Sequence, residues 1–172
     1  MALPRGVLAA AAAMIGLIVA SNILVQYPLN DWLTWGALLF PVCFLVTDLT
    51  NRIHGASATR KMVLIAFPVA IVMSMLLATP RIGLASGTAF LVGQMLDVAV
   101  FDRLRRMTWW QAPLISSVLA SAVDTALFFS LAFYATPVPW VTLGIGDFFV
   151  KVAMALAMLI PFRALMPTLR SA

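Results

Sequence analysis

Apolar runs of about twenty residues recur along this chain, at roughly 6–27, 32–50, 62–79, 82–101, 113–135 and 140–163, and turn-forming strings separate them. Each run matches the ~20 residues a helix needs to cross ~30 Å of hydrocarbon. "YPLND", "RIHGASATRK", "TPR" and "TPVP" supply the breaks. The runs consume most of the 172 residues, so the expectation is an all-α membrane protein: six transmembrane helices in one bundle, a single domain over 1–172. Composition agrees, with 63% hydrophobic and 10% charged residues and a mean hydropathy of +1.05, outside the range of soluble domains. The single cysteine, Cys43, allows no intramolecular disulfide.

The net charge of +5 would suggest nucleic acid in a soluble protein, but its placement suggests otherwise. With the N-terminus inside, Arg5, Arg52, Arg60, Lys61, Arg103, Arg105, Arg106, Arg163 and Arg170 all fall on the cytoplasmic side, against Arg81 outside. That bias predicts cytoplasmic N- and C-termini and basic loops that meet anionic lipid, with no nucleic-acid role. Trp32, Trp35, Trp140, Tyr27 and Tyr134 then occupy the outer interface, and Trp109 and Trp110 the inner one. Pro41, Pro68 and Pro161 predict local bends. Ala9 with Ala13, and Gly83 with Gly87, form small-xxx-small pairs suited to close helix packing.

All six acidic residues are aspartates. Asp31 and Asp102 fall in loops, Asp102 with Arg106 one turn away, and Asp48 at the end of the second helix has Arg52 at i+4 as a surface partner. Asp97, Asp124, Asp147 and Lys151 lie within spans. An ionised group there costs about 2.5–3.5 kcal/mol on insertion scales, so each must face the bundle interior, a partner or water. Asp147 and Lys151, acid first and four apart, are expected to neutralise each other. Asp97 and Asp124 are then left without an intramembrane cation unless Arg81 reaches inward. At least one of them is protonated, carries protons, or waits for a ligand that donates hydrogen bonds.

Neutral polar residues gather beside these charges. Gln94 precedes Asp97 by a turn, Ser121 precedes Asp124, and Asn22 lies in the first span. Helical spacing puts Gln94, Asp97 and Phe101 on one face and Ser121, Asp124 and Phe128 on another. Carboxylates, an amide and a phenyl ring suit a planar, donor-rich heterocycle. The competing reading is a structural polar cluster that joins the fourth, fifth and sixth helices. Catalysis finds no support: His54, the single histidine, falls in a loop away from any intramembrane serine, and no phosphate loop is present. No metal site and no cofactor is expected.

"FLVTDLTNRIHG", "GQMLDVAVFDRLRR", "WWQAPLISSVLASAVDTALFF" and "GDFFVKVAMAL", in this order over roughly 40–162, resemble the queuosine-precursor transporter family, also called the vitamin uptake transporter family. The resemblance implies a bacterial inner-membrane, multi-pass importer of 7-cyano- and 7-aminomethyl-7-deazaguanine. A guanine-like edge pairs a ring N–H with an exocyclic amine, matching the two oxygens of one carboxylate. The family's motif residues fall on Gly93, Gln94 and Asp97, on Asp124 and Thr125, and on Asp147 and Lys151.

The expected substrate-binding set is therefore Asn22, Gln94, Asp97, Ser121, Asp124, Thr125, Phe128, Asp147 and Lys151, with Asp97, Asp124 and Asp147 as proton-coupling candidates. Membrane lipid surrounds such a bundle, and a homodimer is an arrangement it allows. The alternative is a substrate-binding membrane subunit for a vitamin or nucleobase, driven by a separate ATP-hydrolysing partner that docks on Ala9 and Ala13.

Overall fold

A computed structural model describes residues 3–24, 27–30, 33–77 and 79–170. The chain folds as α1 (Arg5–Leu24), β1 (Pro28–Asn30), β2 (Leu33–Thr34), α2 (Trp35–His54), α3 (Ala56–Leu77), α4 (Pro80–Leu104), α5 (Gln111–Phe133) and α6 (Trp140–Arg170). Asp31 and Trp32 lie outside the described residues, as do the side chains of Asn22 and Arg170.

The helices follow the apolar runs, and differences at their ends have local causes. Where "YPLND" suggested only a turn, Pro28 pairs with Thr34 and Asn30 with Leu33 in a short antiparallel ribbon. Proline breaks the helix, and at a two-stranded edge its missing N–H costs nothing. α2 and α3 extend to the single residue between them, Gly55, whose φ of 82° makes the reversal in a conformation that favours glycine. Thr79 caps α4 by accepting from Ile82 N–H, and Pro80 starts the helix. Pro41 and Pro68 lie inside α2 and α3.

Among the described residues four helices are long and apolar enough to cross a membrane: Ala56–Leu77, Pro80–Leu104, Gln111–Phe133 and Trp140–Met166. Arg5–Ser21 is a shorter apolar helix. Their outward faces carry large apolar side chains such as Leu76, Phe149 and Ile160, exposed at 74%, 66% and 76%. Water would penalise such a surface and lipid tails would not. The chain is a multi-pass membrane protein.

Inside, Val7, Ala11, Met14 and Ile18 form one stripe of α1 that meets Cys43, Met62, Val63, Ala66, Ala70 and Phe90. The small pair Ala9 and Ala13 therefore does not serve packing within the bundle. Both point outward, because the four-three-four spacing of the buried stripe turns them to the opposite face.

Gly83 and Gly87 do mark a close approach. A Cβ on Gly83 would lie 2.6 Å from Met75 Cγ and 2.9 Å from the Met75 backbone, and one on Gly87 would lie 2.9 Å from Ile71. Gly83→Leu is expected to lower the melting temperature of the purified protein, at a cost of about 1–3 kcal/mol for overpacking. Leucine at the exposed Ala9 should leave the melt unchanged, and equal melts for both variants would contradict this α3–α4 crossing.

Basic residues meet at one end of the bundle. Gly6 packs against the His54 imidazole, Arg52 donates to the Arg105 carbonyl, and Arg105 donates at 3.2 Å to the carbonyls of Asn51 and Arg52. These two arginines cap each other's helix, satisfying carbonyls that a helix end leaves open. Arg105, rather than the exposed Arg106, pairs with Asp102 at 3.2 Å. Arg163 stacks 4.9 Å from the centre of Trp109.

Candidate functional site

Lys151 is the centre of the buried polar network. Its ammonium lies 2.8 Å from Asp124 Oδ2 and 2.6 Å from Asp147 Oδ2 and donates to Thr125 Oγ at 3.0 Å. Thr125 in turn donates to Asp147 at 2.8 Å. Lys151 and Asp124 are 6% and 3% exposed, so each is affordable only because the other is present. The Phe40 ring centre is 5.4 Å from the ammonium, a cation–π contact.

This arrangement corrects the isolated Asp147–Lys151 pair. Lys151 is shared with α5, so Asp124 does have a cation. Arg81 does not reach inward: it donates to the carbonyls of Leu131 and Tyr134 at 2.9 and 2.6 Å. One ammonium now faces two carboxylates. A Cβ on Gly93 would come 3.2 Å from Asp124 Cβ, so α4 touches α5 beside the carboxylate.

A second buried group lies nearer the basic end. Asp97 on α4 is fully buried and neither of its oxygens has a hydrogen-bond partner. Its carboxyl lies beside Asp48 and Ser116. Asp48 is no surface residue: at 3% exposure it accepts from Ser116 and Ser117 at 3.3 Å each. The helical spacing to Arg52 was real, but α2 turns Asp48 toward α5.

Gln94, fully buried, is joined to Thr47 at 2.5 Å through its oxygen while its NH2 lacks a partner. Thr47 also donates to the Cys43 carbonyl at 3.0 Å, and a hydroxyl has one proton. Whichever way the amide is turned, one of its ends is unpaired.

A narrow cleft joins the two groups. Asp48, Ser117, Ser121 and Lys151 supply its polar lining, with Phe44 and Phe162 among its apolar walls. Its cavity volume is about 10 Å³, room for about one water. The network thus gathers Asp124, Thr125, Asp147 and Lys151, the cleft brings Ser121 to them, Asp97 stands with Asp48, and Gln94 meets Thr47. Phe128 is half-buried and packs on Phe129 and Phe133, ring centres 5.1 and 6.0 Å away. Sequence reasoning missed Asp48, Ser116, Ser117, Thr47 and Phe40. The adjacent serines one turn into the fifth run were the available signal.

The model of a family described as "Putative vitamin uptake transporter" matches residues 34–79 and 72–166. The chain belongs to this vitamin uptake transporter family. It is a family of transporters, not enzymes. The chain is 38% identical over 84% of its length to a "Probable queuosine precursor transporter" of Haemophilus influenzae, covering 79% of that protein. It is 34% identical, again over 84%, to the "Queuosine precursor transporter" of Escherichia coli, covering 78%. A "Probable queuosine precursor transporter" of Bacillus subtilis is 25% identical over 72% of the chain and 67% of its own length. No solved structure matches significantly.

Proposed function

We propose that this vitamin uptake transporter imports queuosine precursors, 7-cyano-7-deazaguanine, 7-aminomethyl-7-deazaguanine or both, across a bacterial inner membrane. It crosses six times with both termini cytoplasmic, the basic end of the bundle inside. The observation that carries the substrate class is the naming of two relatives, at 38% and 34% identity over 84% of the chain, as queuosine precursor transporters.

The site chemistry supports this reading. Asp124 and Asp147 can accept the ring N–H and exocyclic amine of a deazaguanine, and the open end of Gln94 can meet the ring carbonyl or an N–H. Ser121 offers a hydroxyl in the cleft and Thr125 one in the Lys151 network, while Phe128 stands about one turn from Asp124 on α5. The aminomethyl form would bring its own ammonium into competition with Lys151. Because the cleft holds about one water, the base enters only when helices part, as alternating access requires.

Calorimetry on the detergent-purified protein tests the reading with 7-cyano-7-deazaguanine, guanine and the Asp124→Asn variant. Binding of the deazaguanine is expected, weakened at least about tenfold in Asp124→Asn by loss of a charge-assisted acceptor. A folded wild type that ignores both bases would overturn the substrate class. Full affinity in Asp124→Asn would remove that carboxylate from the site.

One observation favours a second reading. Ala9 and Ala13 face outward on α1, as expected of a substrate-binding subunit that docks on an ATP-driven partner. Uptake by the purified protein alone in liposomes counts against it, and crosslinking in the same liposomes reports a homodimer.

A further inference from the structure

We propose that Asp48 and Asp97 form a proton site separate from the Lys151 network, in which the two carboxyl groups hold one proton between them. The site rests on the packing of α2 on α4, where Thr47 meets Gln94 and Asn51 donates to the Val98 carbonyl on either side of the two aspartates, and only its coupling to uptake rests on the transport reading above.

The two aspartates come from different helices, α2 and α4, and are 3% and 0% exposed. Two hydroxyls from α5 hold Asp48, whereas Asp97 receives no hydrogen bond on either oxygen. The charged and titratable groups around the pair are few. On α2, Arg52 lies one turn away and turns its guanidinium to the Arg105 carbonyl, and Cys43 is a buried thiol. On α5, Asp124 adds only negative charge, and on α6 Lys151 is bound to Asp124 and Asp147.

Two ionised carboxylates side by side in a dry interior repel each other and lose their hydration. One proton, delivered by a water in the cleft that Asp48 lines, removes one charge. It also lets one carboxyl O–H donate to the other carboxylate, supplying the hydrogen bond that Asp97 lacks. A metal cation fits less well, since the Ser117 hydroxyl directs its proton at Asp48, and Ser116 divides its own between Asp48 and the Pro113 carbonyl.

The site is also placed to affect the substrate cluster. Ser116 and Ser117 sit about two turns from Asp124 and Thr125 on α5, roughly 12 Å at 1.5 Å per residue. Asp48 and Lys151 line the same cleft. A proton on the pair therefore changes the charge along the path the base would take.

Infrared spectroscopy of the substrate-free protein at neutral pH provides the test, because a protonated carboxyl has a C=O stretch distinct from that of a carboxylate. We expect that band in the wild type and in Asp124→Asn, and its loss in both Asp97→Asn and Asp48→Asn. Should either of the last two fail to fold, Ser117→Ala, which removes a donor to Asp48, must still shift the band. A wild type without the band, a band that survives Asp48→Asn or Asp97→Asn, or one that ignores Ser117→Ala would overturn the pair. None of these measurements uses a base, so failure of 7-cyano-7-deazaguanine to bind leaves the site standing. In liposomes, Asp48→Asn, which lies outside the expected substrate-binding set, is expected to lose acid-driven accumulation of the base by at least about tenfold. Unchanged accumulation would overturn the coupling role.

Discussion

Lys151→Met is expected to abolish uptake and to destabilise the bundle more than any other single substitution in the network. The ammonium is the shared partner of Asp124 and Asp147, at 2.8 and 2.6 Å, and it also holds Thr125. Removing it strands the buried Asp124 and leaves the partly exposed Asp147 unpaired, and breaking one buried pair already costs about 3–5 kcal/mol. Methionine keeps the length and apolar stem of lysine, so lost volume cannot account for the effect. Thermal melting and yield of purified protein measure it. Combining Lys151→Met with Asp124→Asn and Asp147→Asn removes all three charges and should restore the melt toward wild type without restoring uptake. If Lys151→Met alone melts with the wild type, Lys151 is not the electrostatic centre of the bundle.

The positions of the helices were legible in the sequence because apolar length is a one-dimensional property, and each run grew into one element. The partners of the charges were not, because they depend on the rotation of each helix about its axis. Asp48 shows the difference. Its i+4 arginine gave a satisfactory local pair on paper, but the same spacing is compatible with an inward turn toward Ser116 and Ser117. Lys151 shows it again: the sequence supplied Asp147 one helical turn away, while Asp124, 27 residues distant along the chain, needed the α5–α6 contact to become a partner. Ala9 and Ala13 failed for the same reason, since small residues pack only when their face is the inner one. Gly83 and Gly87 succeeded because α3 does cross α4 there.

Gln94→Leu should raise stability and lower substrate affinity, a combination that a purely structural glutamine would not show. The Gln94 side chain is fully buried, and its contact with Thr47 satisfies only one end of the amide, whichever end that is. Leaving a buried donor or acceptor unpaired costs about 1–3 kcal/mol, which an apolar side chain of similar size recovers. Folding alone gives no reason to keep that penalty, whereas a ligand that pairs with the open end does. A lost hydrogen bond in the bound state should weaken 7-cyano-7-deazaguanine by roughly 10- to 100-fold, the equivalent of about 1.4–2.8 kcal/mol. Calorimetry and thermal melting of the same preparation measure the two effects together. If Gln94→Leu melts lower and binds as wild type, the amide is a packing element of α4 and lies outside the path of the base.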